Sequence, residues 1–133
     1  MAKISGLGWT TLNVDDAAGT ARDLRNDITN FDFEIPYDQQ ETTGVDVSAY
    51  ERLALLADWK GTLNSVFNPS ANRIHAVMAG DLRVARTLEF VVSSQSISGE
   101  VLFDSYKLSR SNKGELTGQH PFSLQNGTAA AWS

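Results

Sequence analysis

The clearest pattern in the chain runs from Ile28 to Pro36. Phe31, Phe33 and Ile35 fall on one side, and Asn30, Asp32 and Glu34 on the other. A period of two is that of a β-strand with one buried face and one wet face. Upstream, Gly8–Val14 reads as a first strand and Asp15–Thr20 as a turn rich in Asp and Gly. Ala21–Arg25 reads as a short second strand, broken at Asn26-Asp27.

Ser48–Lys60 carries two competing signals. Ser48-Ala49-Tyr50-Glu51 has the S-x-x-E form of a helix capping box. Yet Leu53, Leu55, Ala57, Trp59, Gly61, Leu63 and Phe67 alternate with Asp58, Lys60, Thr62, Asn64 and Val66. The alternation predicts one long strand, at least from Leu55 onward, and leaves 48–56 open between helix and strand. Tyr37–Val47, polar and turn-rich, is expected to be a long loop.

Asn68-Pro69 is a suitable helix start, Ile74, Val77 and Met78 share a helical face, and Gly80 supplies an end. Strands are expected at Val84–Ser93, Glu100–Arg110 and Leu116–Leu124, separated by Ser94–Gly99 and Ser111–Gly114. The sum is a mainly β protein, a sandwich or barrel with one short α-helix.

Composition narrows the function more than the fold. The 133 residues fit one domain, with an N-terminal arm over about 1–7 and a C-terminal tail over about 129–133. There is no cysteine, which excludes disulfides and thiolate chemistry. The net charge of −5 argues against a protein that grips a nucleic acid backbone, although not against a surface that DNA slides past. No apolar run approaches membrane-spanning length, and Met1–Gly6 lacks the apolar stretch of a secretory signal.

Catalytic constellations are absent from the pattern. His75 and His120 are the only histidines and have no ligand-spaced partners. His75 lies beside the helix's apolar face, and His120 alternates with Leu116, Phe122 and Leu124, so both read as structural. Asp15-Asp16 lacks the distal Glu of a calcium loop. Gly6-Leu7-Gly8 is too short for a dinucleotide fingerprint, and Asn126-Gly127-Thr128 reads only as a turn. No cofactor and no metal is expected.

Several segments taken together are similar to a known family. They are Gly8–Asp16, Arg25–Thr29, Thr43–Asp46, Glu51–Asp58, Thr62–Asn68, Leu116–Gly118, and Gln125–Thr128 running on to Trp132-Ser133. Their texture resembles the small major tail proteins, or tail tube proteins, of long non-contractile-tailed bacteriophages, especially those of actinobacterial hosts. Gly118 stands where that family leads one to expect a large aromatic, and Tyr37–Glu41 is unlike its usual run. The resemblance implies a non-enzymatic β-sandwich subunit with a flanking helix. It implies hexameric rings stacked into a tube whose lumen is lined by one wide β-barrel. It also implies a virion tail location after assembly in the host cytoplasm, with passage of DNA but no membrane. The implied partners are the tape-measure, tail terminator and distal tail proteins.

On that reading, Ile28–Pro36 and Leu55–Phe67 are paired inner strands that join neighbours edge to edge. Their polar residues Asn30, Asp32, Glu34, Asp58, Lys60, Thr62 and Asn64 would line the lumen, offering DNA no strong basic anchor. Tyr37, Gln39, Glu41, Val45 and Trp132, on the 37–47 loop and the tail, would contact the next ring. The alternatives are another virion or injection-machine component on the same fold (a head–tail connector, a decoration protein, a secretion-system tube) and a monomeric β-sandwich binding module.

Overall fold

The computed structural model describes residues 3–133; Met1 and Ala2, the start of the expected arm, lie outside the described residues. After a 3-10 turn at Gly6–Gly8 come β1 (Trp9–Asp15), β2 (Ala21–Asp23), β3 (Ile28–Glu34), β4 (Tyr37–Glu41), β5 (Arg52–Ala57) and β6 (Lys60–Val66). Helix α1 (Ile74–Met78) follows, then β7 (Arg86–Val92), β8 (Gln95–Phe103), β9 (Lys107–Arg110) and β10 (Leu116–Leu124). The larger sheet is ordered β2-β1-β7-β8-β10-β6-β3, with β9 also on β10, and all its pairs are antiparallel. The mainly β architecture with one short helix is as the pattern predicts.

The sheet folds over on itself. Trp9 on β1 and Phe90 on β7 pack against Phe31 on β3, with ring centroids 6.1 and 5.1 Å away, although these strands lie far apart in the sheet order. Phe33 continues the cluster to the buried Trp59, and Trp59 meets Phe122 at 5.5 Å. Leu12, Leu63, Leu88 and Val101 fill the space between the layers, and Ile74, Val77 and Met78 of α1 cover one end. A bulge between Ile28 and Asn30 reverses the strand's parity, so Ile28 and Phe31 both face inward.

β10 changes partner along its length. Leu116–Gln119 pairs with β9, and Phe122–Leu124 pairs with β8. Pro121, which has no N–H to give a ladder, sits at the changeover, and its carbonyl accepts from Asp104 N at 2.9 Å. This switch bends the sheet from one layer into the other.

The structure differs from the sequence reading in several places, among them the expected strand Glu100–Arg110, which is broken at Asp104–Tyr106 into the end of β8 and β9. Tyr37–Glu41 is a strand rather than loop, paired with β5 in a separate two-stranded ribbon. The capping box at Ser48 starts no helix, because Arg52–Ala57 pairs with β4 instead. The expected continuous strand over Leu55–Phe67 is broken at Asp58-Trp59, where the chain leaves the ribbon for the main sheet. Finally, the β7–β8 turn is only Ser93-Ser94, both at positive φ (50° and 67°), so Gln95–Gly99 is strand rather than loop. Two serines in this left-handed conformation are uncommon, and no Gly or Asn announces the turn.

Helix α1 begins only at Ile74 and is not capped by Asn68. The buried Asp27 carboxylate accepts from Ile74 N at 3.1 Å and from Asn68 Nδ2 at 2.9 Å, tying the helix start to the β2–β3 turn. At the other end Arg86, fully buried, donates to the carbonyls of Val77 and Asp81. A cation there complements the helix's negative end. Burial still holds the guanidinium below its usual pKa.

Candidate assembly surfaces

The strand register shows which side chains share a face. Asn30 lies opposite Asn64, which lies opposite Gln119, which lies opposite Lys107. The next rows are Asp32–Thr62–Pro121 and Glu34–Lys60–Ser123. Six of the sequence-selected residues therefore form one polar surface across β3 and β6. The sequence reading missed its continuation onto β10 and β9, because nothing local announces which strand pairs with β6. Gly61 makes the close approach of β3 and β6 possible, since a Cβ there would lie 2.2 Å from the Asp32 carbonyl oxygen.

Asp58 departs from this set. Its carboxylate turns into the fold and accepts from Trp59 N at 2.8 Å and Leu124 N at 3.2 Å. It holds the strand break in place, and a side chain used in that way is not free to face a lumen. Lys60 Nζ lies 4.0 Å from Glu34 Oε1, an exposed pair of small energetic worth. Asp104 joins Asp32 and Glu34 along a shallow groove beside Pro121. The face thus carries two lysines against three carboxylates, a nearly balanced surface.

The four-stranded run β9-β10-β6-β3 ends in two strands that each pair on one side only. These free edges present unpaired backbone donors and acceptors, ready to pair with another chain.

The ribbon is the second surface. Tyr37 is 61% exposed and Leu56 81%, and Leu53, Leu55 and Tyr50 are exposed as well. Gln39 and Glu41 lie on β4, and Val45 stands fully exposed in the tip. Neither side of the ribbon is covered. Trp132, the remaining residue selected for ring contacts, sits apart from it. Ser96 and Ser133 exchange backbone hydrogen bonds of 3.1 and 2.9 Å, which lays the tail on the β8 edge and brings the Trp132 ring 6.0 Å from Phe33. Trp132 remains 48% exposed, so one side packs on its own subunit and the other stays open.

The histidines are linked through Tyr106, His120 buried and His75 half-buried. His120 Nε2 is 2.9 Å from Ser65 Oγ, and its ring lies 4.9 Å from that of Tyr106, whose hydroxyl is 3.1 Å from His75 Nδ1. Ser65 and His120 are both buried, so no substrate reaches this Ser–His pair. Burial without a partner for Nδ1 pushes the His120 pKa down to about 4. Gly118 packs here too: a Cβ would lie 3.0 Å from Ser65 Oγ and 3.1 Å from His120 Nε2, so the large aromatic suggested by the resemblance has no space. Among the described residues, no cluster of three or more His, Asp or Glu side chains is placed to hold a metal ion.

No protein-family model matches the sequence, and no curated protein matches it. Solved structures do match in fold. A chain of the tail of an empty gene transfer agent particle, determined by helical refinement with C6 symmetry, superposes with a TM-score of 0.72 at 12% identity, covering 98% of this chain and 99% of that one. A chain of the native gene transfer agent virion superposes equally well, with a TM-score of 0.72 at 10% identity and the same coverage. The fold of this chain is therefore one used in the tail of a phage-like particle.

Proposed function

We propose that the chain is a tail tube subunit, forming hexameric rings that stack into a tube through which DNA passes. The observation that carries this reading is the four-stranded run β9-β10-β6-β3, with a polar face and two free edges. Pairing β3 of one subunit with β9 of the next would close the rings into one barrel, with Asn30, Asp32, Glu34, Lys60, Thr62 and Asn64 facing the lumen. A head-to-tail contact that closes makes a ring, and one that does not close makes a filament. The match in fold to a tail with C6 symmetry supports six subunits per ring.

The near balance of charge on the proposed lumen suits transit of DNA, because no cluster of unpaired cations offers phosphate a firm hold. The ribbon, with Tyr37, Gln39, Glu41 and Val45, and the open side of Trp132 would meet the adjoining ring. The whole chain acts as one tube domain, with the N-terminal segment as an arm. Tape-measure, tail terminator and distal tail proteins are its proposed partners, and the virion tail its location.

Negative-stain electron microscopy across a concentration series tests the reading. Rings or hollow tubes are the expected outcome. A chain that remains monomeric at high concentration, with and without a tape-measure protein, would support the binding-module alternative instead.

A further inference from the structure

The two ends of the β3–β6 pair differ in charge. At one end both strands run into the ribbon, since Glu34 precedes β4 and Lys60 follows β5. Residues 37–57 contain Asp38, Glu41, Asp46 and Glu51 against the single Arg52, which carries three of the chain's five net negative charges. All four carboxylates are exposed, and none forms an ion pair among the described residues. Arg52 is occupied locally, 5.1 Å over the Tyr50 ring.

At the opposite end, about 20 Å away at a strand's rise per residue, the chain enters β3 through Arg25-Asn26-Asp27 and leaves β6 towards α1. Here Arg25 and Arg73 line a groove with Leu7, Trp9, Asn26 and Asp23. Asp23 neutralises one arginine through its 3.0 Å contact with Arg25, which leaves the groove cationic. Leu7 is 95% exposed on its rim. The β9–β10 turn, with Arg110 and Lys113 against Glu115, lies at this same end, because Thr117 of β10 pairs with Val66.

The geometry points to a specific docking pair: the acidic, apolar ribbon of one copy seats in the Arg25–Arg73 groove of a second copy in the adjoining ring. Both surfaces combine exposed apolar side chains with charge, the signs are opposite, and they occupy opposite ends of one strand pair. A contact between opposite ends of a subunit is heterologous, which leads to open-ended stacking rather than a closed dimer. The pair also gives the tube a direction, since ribbon-to-ribbon and groove-to-groove contacts would bring like charges together. This inference rests on the tube reading and names which surfaces meet.

Charge reversal separates the two. In Arg25→Glu/Arg73→Glu, and separately in Glu41→Lys/Glu51→Lys, the critical concentration for tube formation should rise about tenfold or more, as like charges replace a complementary contact. The quadruple variant in one chain should return to within about threefold of the unmodified protein. Tubes of the unmodified protein should shorten as salt is raised from 0.05 to about 1 M, where screening reaches about 3 Å. Circular dichroism melts of each monomer show whether it folds, and Arg73→Gln with Glu51→Gln gives a milder pair should a reversal fail to fold. Normal tubes from both reversals, or no rescue in folded quadruple protein, would overturn the docking pair while leaving the tube reading intact. Unmodified protein that never assembles would overturn both.

Discussion

Leu53, Leu55 and Leu56 on β5 are as apolar as Leu12, Leu63 and Leu88, yet the first three are exposed and the last three are fully inaccessible. The two groups differ in what lies opposite them. The core leucines sit between two layers of one folded-over sheet, closed by the aromatic chain from Trp9 to Phe122. The ribbon leucines belong to a separate two-stranded sheet that stays exposed among the described residues. Isolated two-stranded ribbons are marginal in water, and contiguous exposed apolar side chains mark contact sites. Apolar residues in a strand thus announce that it will be covered, without saying by which chain.

That contrast can be broken at several points. The largest effect on the folded subunit is expected at the aromatic core: Trp59→Ala or Phe122→Ala should cost about 3–5 kcal/mol. Denaturant unfolding of the monomer measures it. A loss below about 1 kcal/mol would mean that the two layers do not depend on this cluster.

Acid comes next. The folded pKa of His120, about 4, lies below the ordinary 6.5, so between these values the unfolded chain binds the extra proton. This contribution to stability is complete above pH 6.5 and falls by on the order of 3 kcal/mol as the pH approaches 4. Unfolding free energies measured across that range should show the slope, and His120→Gln should flatten it.

Gly61→Ala is expected to cost about 1–3 kcal/mol by forcing β3 from β6. It should also impair assembly, because the face they share would distort. Trp132→Ala should cost about 1 kcal/mol through its contact with Phe33. If it impairs assembly far more than it lowers stability, the open side of the indole serves the neighbour.

The smallest effect on the monomer belongs to the ribbon. Leu55→Ser/Leu56→Ser should change stability by less than about 0.5 kcal/mol, as for exposed sites generally. The same variant should abolish tubes in electron micrographs. A monomer destabilised by several kcal/mol would instead place these leucines in the subunit's own core.

Over β3 and β6, where one face is covered by the same chain, the sequence was readable. The alternation over Ile28–Pro36 appears in the structure as Phe31, Phe33 and Ile35 turned inward and Asn30, Asp32 and Glu34 outward. Trp59–Val66 follows the expected parity, and His120 faces the packed side as read. β4 was illegible because Tyr-Asp-Gln-Gln-Glu has no buried side to imprint a pattern. The capping box misled because helix signals are local and weak, and pairing with β4 overrides them.

The sequence by itself determined the mainly β class and the inward and outward faces of β3 and β6. These follow from residue type and a period of two, which are properties of neighbours along the chain. Tertiary structure alone decided that β9 and β10 extend the polar face, that Asp58 turns inward, that Asp27 caps a distant helix, and that charge separates to opposite ends. Each of these depends on which strands pair, and pairing is set by contacts between residues far apart in sequence.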